Sequence, residues 1–349
     1  MPSPAGLVQE LDQYLHRRRL LVPRMRLLVA CSGGADSVAL LSLLQAINQS
    51  DYWHWELIVG HVNHQLRGMD SKRDEAYVRN LAKSLDLPFR VKKLNLKETG
   101  ANRVVSENAA REGRYKALLA MAASDRCNAV LLAHHADDQA ETILMRLLRG
   151  AGVTGLAGMN EKEWRGKLEL VRPLLPWPGG ELKKWLIENN RPWREDLSNN
   201  NTHYLRNRIR HELLPALENY QPRIRELLQR NARHDRASAD FLKLHARKLL
   251  REGRYRRGRY SVSVSINTVA QAHPAPAALA LRMAIVDAGG DEDGINTTTL
   301  LDVLDKLQAR SLAGEIQFAR AIRLKVISGR INIFRVGRSG EKIRRPITC

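Results

Sequence analysis

The segment Ser32-Gly33-Gly34-Ala35-Asp36-Ser37 gathers residue types suited to holding a phosphate. It follows the apolar run Arg26-Leu27-Leu28-Val29-Ala30-Cys31 and precedes a helix-period stretch that starts near Ser37. Paired glycines permit a tight turn that brings backbone N–H groups close to an anion. A helix beginning at once afterwards adds its positive end. Ser32 and Ser37 contribute hydroxyls. The lysine-bearing GxxxxGK[ST] loop is absent, as is GxGxxG. Asp36 is the unusual member. A carboxylate beside phosphates is repulsive unless a divalent cation lies between them, so Asp36 points to Mg²⁺. A plain strand-to-helix turn with Asp36 or Ser37 as N-cap is the structural alternative.

A second acidic site opens the helix after Ala129-Val130-Leu131-Leu132-Ala133. In His134-His135-Ala136-Asp137-Asp138-Gln139-Ala140-Glu141, Asp137 and Glu141 are four apart and share a helix face, with Asp138 three from Glu141. Carboxylates so placed suit a second metal anchor, Asp137 first, or acid–base work. Acids in a first helical turn also complement the dipole, which is the structural alternative. His134 and His135, adjacent in sequence, point to different sides, so His134 is expected to position a nucleotide rather than ligate a metal. His61, ending another apolar run, has the same two readings: contact with a nucleotide base or a satisfied rim histidine. Arg111, Arg114 and Tyr115 share a helix face and suit phosphate or nucleic acid, as do Arg206, Arg208 and Arg210 in the basic stretch Arg206 to His211.

The elements that must position these residues alternate. Strands are expected at 26–31, 57–62, 89–94, 129–133 and 170–175. Helices are expected at 7–21, 37–45, 70–85, 106–123, 137–149 and 181–190. This rhythm predicts an α/β fold: a Rossmann-like parallel sheet with helices on both faces, whose ligands bind beyond the carboxyl ends of the strands. Gly150 to Gly158 reads as a mobile loop. Residues 206–252 read as a long basic helical stretch broken at Pro215 and Pro222, leading to a small α+β module with a strand at 260–266, helices at 276–287 and 297–309, and two or three strands in 315–336.

Composition narrows the class. With 57 Lys+Arg against 37 Asp+Glu the chain carries +20, which favours a polyanionic partner, nucleic acid foremost. Hydrophobic residues at 44% exclude a disordered chain. Three cysteines without CxxC spacing exclude a cysteine zinc site and suit a reducing cytoplasm. No apolar run approaches the ~20 residues of a membrane span.

Ser32 to Ser37 resembles the PP-loop of the N-type ATP pyrophosphatases, which cleave ATP to AMP and pyrophosphate. Together with His61 to Gly68, Ala109 to Leu118, Ala133 to Thr142, Arg149 to Met159, Val171 to Leu175 and Glu195 to Pro215, it is similar to the tRNA(Ile)-lysidine synthetase family. That resemblance implies ATP and Mg²⁺ as cofactors. It implies activation of the wobble cytidine of a CAU-anticodon tRNA(Ile) at its C2 oxygen. L-lysine then displaces AMP, and codon reading changes from AUG to AUA. It implies roles for Asp36, Asp137 and Glu141 in catalysis and for Asp36 and Asp137 in metal binding. It divides the chain into a catalytic domain, 1–217, and a helical linker with a small tRNA-binding module, 218–349, in a cytoplasmic protein that is a candidate homodimer. Two positions depart from the pattern: Gly179 stands where arginine is common, and Asn201 where an acid is frequent. A PP-loop tRNA thiolase, a small-molecule ligase and a non-catalytic RNA-binding protein are the competing readings. The thiolase lacks its paired cysteines here, and the RNA-binding reading leaves Asp36, Asp137 and Glu141 unexplained.

Overall fold

Alternation along the strands decides which helix covers which side of the sheet. In a computed structural model of the chain, the described residues are 4–65, 69–94, 107–195, 205–290, 295, 297–312, 314–318 and 321–336. They form two compact units, 1–145 with 158–230, and 146–157 with 231–349. The first unit opens with α1 (Pro4–Arg17), β1 (Arg26–Ala30), α2 (Ala35–Ile47), β2 (Glu56–Asn63), α3 (Met69–Ser84), β3 (Phe89–Lys93), α4 (Glu107–Ser124) and β4 (Ala129–Leu131). It continues with α5 (Ala136–Leu148), then the hairpin β5 (Lys162–Arg165) and β6 (Leu168–Val171), and α7 (Gly179–Glu188). The one-turn helix α6 (Val153–Leu156) belongs to the second unit.

The sheet order is β3-β2-β1-β4-β6-β5. All neighbours are parallel except the edge strand β5. Leu27, Val29, Leu57, Val59, Ala129 and Leu131 pack with α1, α2 and α7. Leu28, Ile58, Val130 and Leu170 point the other way onto Tyr115, Leu118, Met121 and Ala122 of α4. This is the period of two of a pleated strand buried on both faces, and each fully buried leucine contributes ~1.5–3 kcal/mol. After β1 the chain adds β2 and β3 on one side, then returns to place β4 on the other. The loops after β1 and β4 therefore diverge from adjacent strands, which is where open α/β sheets bind ligands.

Three expectations are corrected. The strand expected at 170–175 ends at Val171, because Pro173 cannot donate to a ladder, and its partner β5 was not foreseen. Pro215 does not break the helix: α8 (Leu205–Arg208), a π turn (Ile209–Leu213) and α9 (Leu214–Tyr220) are continuous. The widened turn before Pro215 accommodates its missing N–H and its ring. The glycine segment 150–158 is not an unstructured loop, since it contains α6 and Arg146 Nη1 donates to Gly155 O at 2.8 Å.

Helix α10 (Ile224–Glu252) begins in the first unit and ends in the second. The second unit adds β7 (Arg256–Arg257), β8 (Ser261–Ser265), α11 (Ile266–Ala270), α12 (Pro274–Asp287) and α13 (Thr297–Gln308). It closes with β9 (Glu315–Phe318), β10 (Ile322–Ile327) and β11 (Arg330–Arg335), in an antiparallel sheet of order β7-β8-β11-β10-β9. Its own core joins Val262, Val264, Leu281, Ile285, Leu304 and Ile333. No described helix is long and apolar enough to cross a membrane.

Candidate active site at the ends of β1 and β4

The phosphate loop is built around one hydroxyl. Ser37 Oγ accepts from the Ser32 and Gly33 amides, each at 3.2 Å, and donates to Gly34 O at 2.9 Å. In this arrangement its hydroxyl is engaged within the loop and shapes the turn. Gly33 sits at φ +95°, a conformation side chains rarely adopt. The first bond of α2 is Val38 N to Gly34 O. The amides of Ala35, Asp36 and Ser37 precede it and form the anion-binding end of the helix. Tyr77 and Val78 back Gly33, and Arg194 N donates to Gly33 O at 2.9 Å while its Nε pairs with Asp74 at 2.6 Å. Neither Tyr77 nor Arg194 carried a sequence signal. Replacing Ser37 with alanine is expected to cost ~1–3 kcal/mol, since two amides lose their acceptor. Urea denaturation checks the stability change, and a raised KM for ATP checks the loop's shape.

The second half of the site centres on His135. Its Nε2 lies 3.5 Å from both Asp36 and Asp138, and its Nδ1 lies 3.4 Å from Asp137. Burial opposes its charge, but Asp138, Asp137 and Asp36 outweigh burial and push its pKa up to about 10. The Asp137 amide, 3.2 Å from Nδ1, suits a neutral ring. Three carboxylates around one imidazole decide for the imidazolium. Asp138 also accepts from the His135 backbone amide at 3.0 Å. That is half of a capping box, so the acidic first turn of α5 serves the helix as well as the site. Asp137 Oδ2 accepts from Gly179 N at 2.9 Å. A side chain at 179 would put a Cβ 2.9 Å from His135 Cε1 and 3.1 Å from Asp137 Oδ2, so with glycine here, where arginine is common, the His135 ring packs against the turn. Burial raises the Asp137 pKa, yet His135, the Gly179 amide and Arg225 bring it down to about 2.

Glu141 does not join this group. It is 0% exposed, with Arg206 Nε at 2.7 Å from Oε2 and Arg210 Nε at 2.5 Å from Oε1. Arg206 also reaches Asp138 Oδ1 at 2.6 Å. Arg206 and Arg210 are four apart and face α5. Arg208 lies between them on the opposite side, 60% exposed and 3.6 Å from Glu212, so it is not brought to the site. Arg111 lies over the buried Tyr115 ring at 5.2 Å. Arg114 reaches solvent along part of its side chain, yet its guanidinium is pushed down in pKa by desolvation first and then by Arg111 and Arg206. His134 is held neutral by burial and by Arg172, Arg111 and Arg206, and its buried Nδ1 has no partner among the described residues. His61 is buried, with Nδ1 2.9 Å from the Cys31 carbonyl. A carbonyl only accepts, so Nδ1 carries the hydrogen and the ring braces the end of β1 instead of meeting a base. Asn201 and residues 196–204 lie outside the described residues.

The chain and its fold match known proteins. Residues 6–217 match the ATP_bind_3 PP-loop domain. The tRNA(Ile)-lysidine synthase of Symbiobacterium thermophilum is 32% identical over 335 residues, covering 94% of this chain and 69% of that protein. The chain belongs to this PP-loop family, the tRNA(Ile)-lysidine synthases. The family member of Geobacter sulfurreducens is 43% identical over 211 residues, 60% of this chain and 44% of that one. The Porphyromonas gingivalis member is 36% identical over 238 residues, 68% and 50%. The chain thus spans about half the length of these two synthases. The U34-tRNA thiolase NcsA of Methanococcus maripaludis shares the fold, at a TM-score of 0.55 and 16% identity over 66% of this chain and 79% of that one.

Proposed function

We propose that this chain is an ATP-dependent carbon–nitrogen ligase that forms lysidine at the wobble cytidine of CAU-anticodon tRNA(Ile). The observation that carries the reading is the convergence, after β1 and β4, of the α2 amide end with the Asp36–His135–Asp137 group. One half suits a phosphate chain and the other the amino group of lysine, held as the ammonium and nucleophilic once it has lost a proton. The cytidine O2 attacks the α-phosphorus of ATP and pyrophosphate leaves, held by the amides of Ala35 to Ser37. The neutral lysine ε-amine then attacks C2, the C2–O2 bond breaks, AMP leaves with the oxygen, and the surplus proton on nitrogen passes to solvent. Arg111, Arg114, Arg206 and the unpartnered His134 Nδ1 form an anion-favouring wall beside the carboxylates, suited to RNA phosphate or AMP.

A Mg²⁺ ion here would need oxygen donors at the loop mouth. Among the described residues no group of three or more His, Cys, Asp or Glu is arranged to hold a metal alone. The donor set suits Mg²⁺ arriving on ATP phosphates with one carboxylate and water, the usual way this ion binds. Asp36, 40% exposed at the loop mouth, is the residue that would hold it. Asp137 has Oδ1 on Arg225 and Oδ2 on Gly179, so we assign it to orient His135 and the amine. Bound there, the ion would supply charge neutralisation for the departing pyrophosphate.

The direct test is transfer of labelled lysine to a CAU-anticodon tRNA transcript, with AMP formed in equal amount. Absence of label in the RNA, or a thiolated base instead, ends this reading. The +20 charge also sets an expected salt response: tRNA affinity should fall by about 10³-fold between roughly 50 and 200 mM salt. A flat response in filter binding would mean the basic side chains do not face the RNA backbone.

A further inference from the structure

Asp137 is gripped from two sides, and the second grip comes from beyond the residues that match the PP-loop domain. Gly179 and His135 meet Oδ2. Oδ1 accepts from Arg225 Nη1 at 2.9 Å, and Arg225 stands eight positions past the end of that match. The chain folds back for local reasons. Pro222 cannot continue α9, the turn is closed by Ile224 N to Gln221 O at 2.9 Å, and α10 then starts with Arg225 in its first turn. Arg225 is itself fixed: its Nε donates to Glu218 Oε1 at 2.6 Å, on α9. A planar guanidinium held at Nε by one carboxylate has its Nη1 direction set, so it can fix the plane of a second.

We propose that Arg225 is a positioning residue of the active site. It acts through Asp137, fixing the rotation of that carboxylate so that Oδ2 stays on the Gly179 amide and against the His135 ring. Glu218 holds Arg225 in turn, so the α9–α10 corner is part of the site. Without Arg225, Oδ1 has no other partner among the described contacts, and the carboxylate turns away from Gly179. The role in turnover rests on the proposed function. The geometric role does not.

The experiment therefore uses two readouts on the full chain. The first is AMP formation with ATP, lysine and tRNA transcript, separated into kcat and KM. The second is hydrogen exchange of the Gly179 amide, which needs no activity. Arg225→Ala is expected to lower kcat by about 10-fold or more, in the range of supporting residues one step from the chemistry, with KM for tRNA little changed. Arg225→Lys should retain part of the rate, and added guanidinium ion should recover part of it in Arg225→Ala. Gly179 should exchange faster in Arg225→Ala. Arg223→Ala is the control: Arg223 stands two residues earlier and, among the described residues, its side chain pairs with exposed Glu226 alone, so it should change neither readout. Unchanged exchange and unchanged kcat in Arg225→Ala overturn the proposal. So does an equal loss in Arg223→Ala, which would mark a general weakening of the corner. If Arg225→Ala does not fold, Arg225→Lys and Arg225→Gln give the same comparison. If the parent chain makes no AMP, the functional reading fails, and Gly179 exchange still judges the inference.

Discussion

Glu141→Ala is expected to destabilise the first unit by about 3–5 kcal/mol, the usual cost of removing one partner from a buried ion pair. Both oxygens of Glu141 are engaged, by Arg206 and by Arg210, and the residue is 0% exposed. Its removal leaves two guanidiniums crowded together near Arg111 and Arg114, whose charges already disfavour one another. Asp138 still holds Arg206 at 2.6 Å, but Arg210 keeps only a 3.5 Å contact to it. The π turn that carries Arg210 should therefore loosen, and with it the packing of Ile209 and Leu214 on Ala140 and Leu144. Glu141→Gln should cost less, since an amide oxygen still accepts one of the two hydrogen bonds. Denaturant titration followed by tryptophan fluorescence measures both. Turnover should fall in step with folded fraction. A Glu141→Ala protein stable to within ~1 kcal/mol of the parent but inactive would return Glu141 to the chemistry, where its spacing from Asp137 had placed it.

That difference shows what a helical spacing does and does not tell. Asp137 and Glu141 share a face of α5, as i and i+4 must. What covers the face changes along it: the Gly179 turn and Arg225 over the first turn, the π turn with Arg206 and Arg210 over the second. Those covering residues are 42 to 88 positions away in sequence from the carboxylates they meet, and nothing in α5 names them. The parallel sheet was legible because the continuous apolar runs at 27–29 and 57–59, separated by helix-period segments, are a local property. So was the phosphate loop, whose glycines and acid are contiguous. The π turn was not legible, because Pro215 reads as a break until the neighbouring arginines show what the continuous helix must hold. The basic run 206–210 was read as one surface, but a helix separates Arg208 from its neighbours by turning it outward. Gly179 read as a departure, and here its amide reaches Asp137 beside His135, where a Cβ would require the His135 ring to shift.

Asp36→Asn should reduce turnover by about 10²-fold or more, a scale typical of losing one fixed charge at a reacting phosphate, while changing stability by less than ~1 kcal/mol. The small stability effect follows from exposure. Asp36 is 40% exposed and its nearest ionic partner, His135, keeps Asp137 and Asp138, so no buried charge is stranded. The large functional effect depends on what lies between Asp36 and ATP, and the sign of the binding change decides it. With a divalent cation bridging them, removal of the carboxylate weakens ATP binding, and the loss grows as Mg²⁺ is lowered. With no cation there, Asp36 would face the phosphates directly, and its removal would relieve repulsion and tighten ATP. We expect the first. ATP titration of the parent and Asp36→Asn across a Mg²⁺ series separates the two, and tighter ATP binding in the variant at all Mg²⁺ levels would exclude Asp36 as a metal carrier. Binding of tRNA should persist in either case, since the arginines that favour RNA stand on α4 and α8 and do not touch Asp36. A parallel loss of tRNA affinity would instead mean that the loop mouth itself is part of the RNA surface.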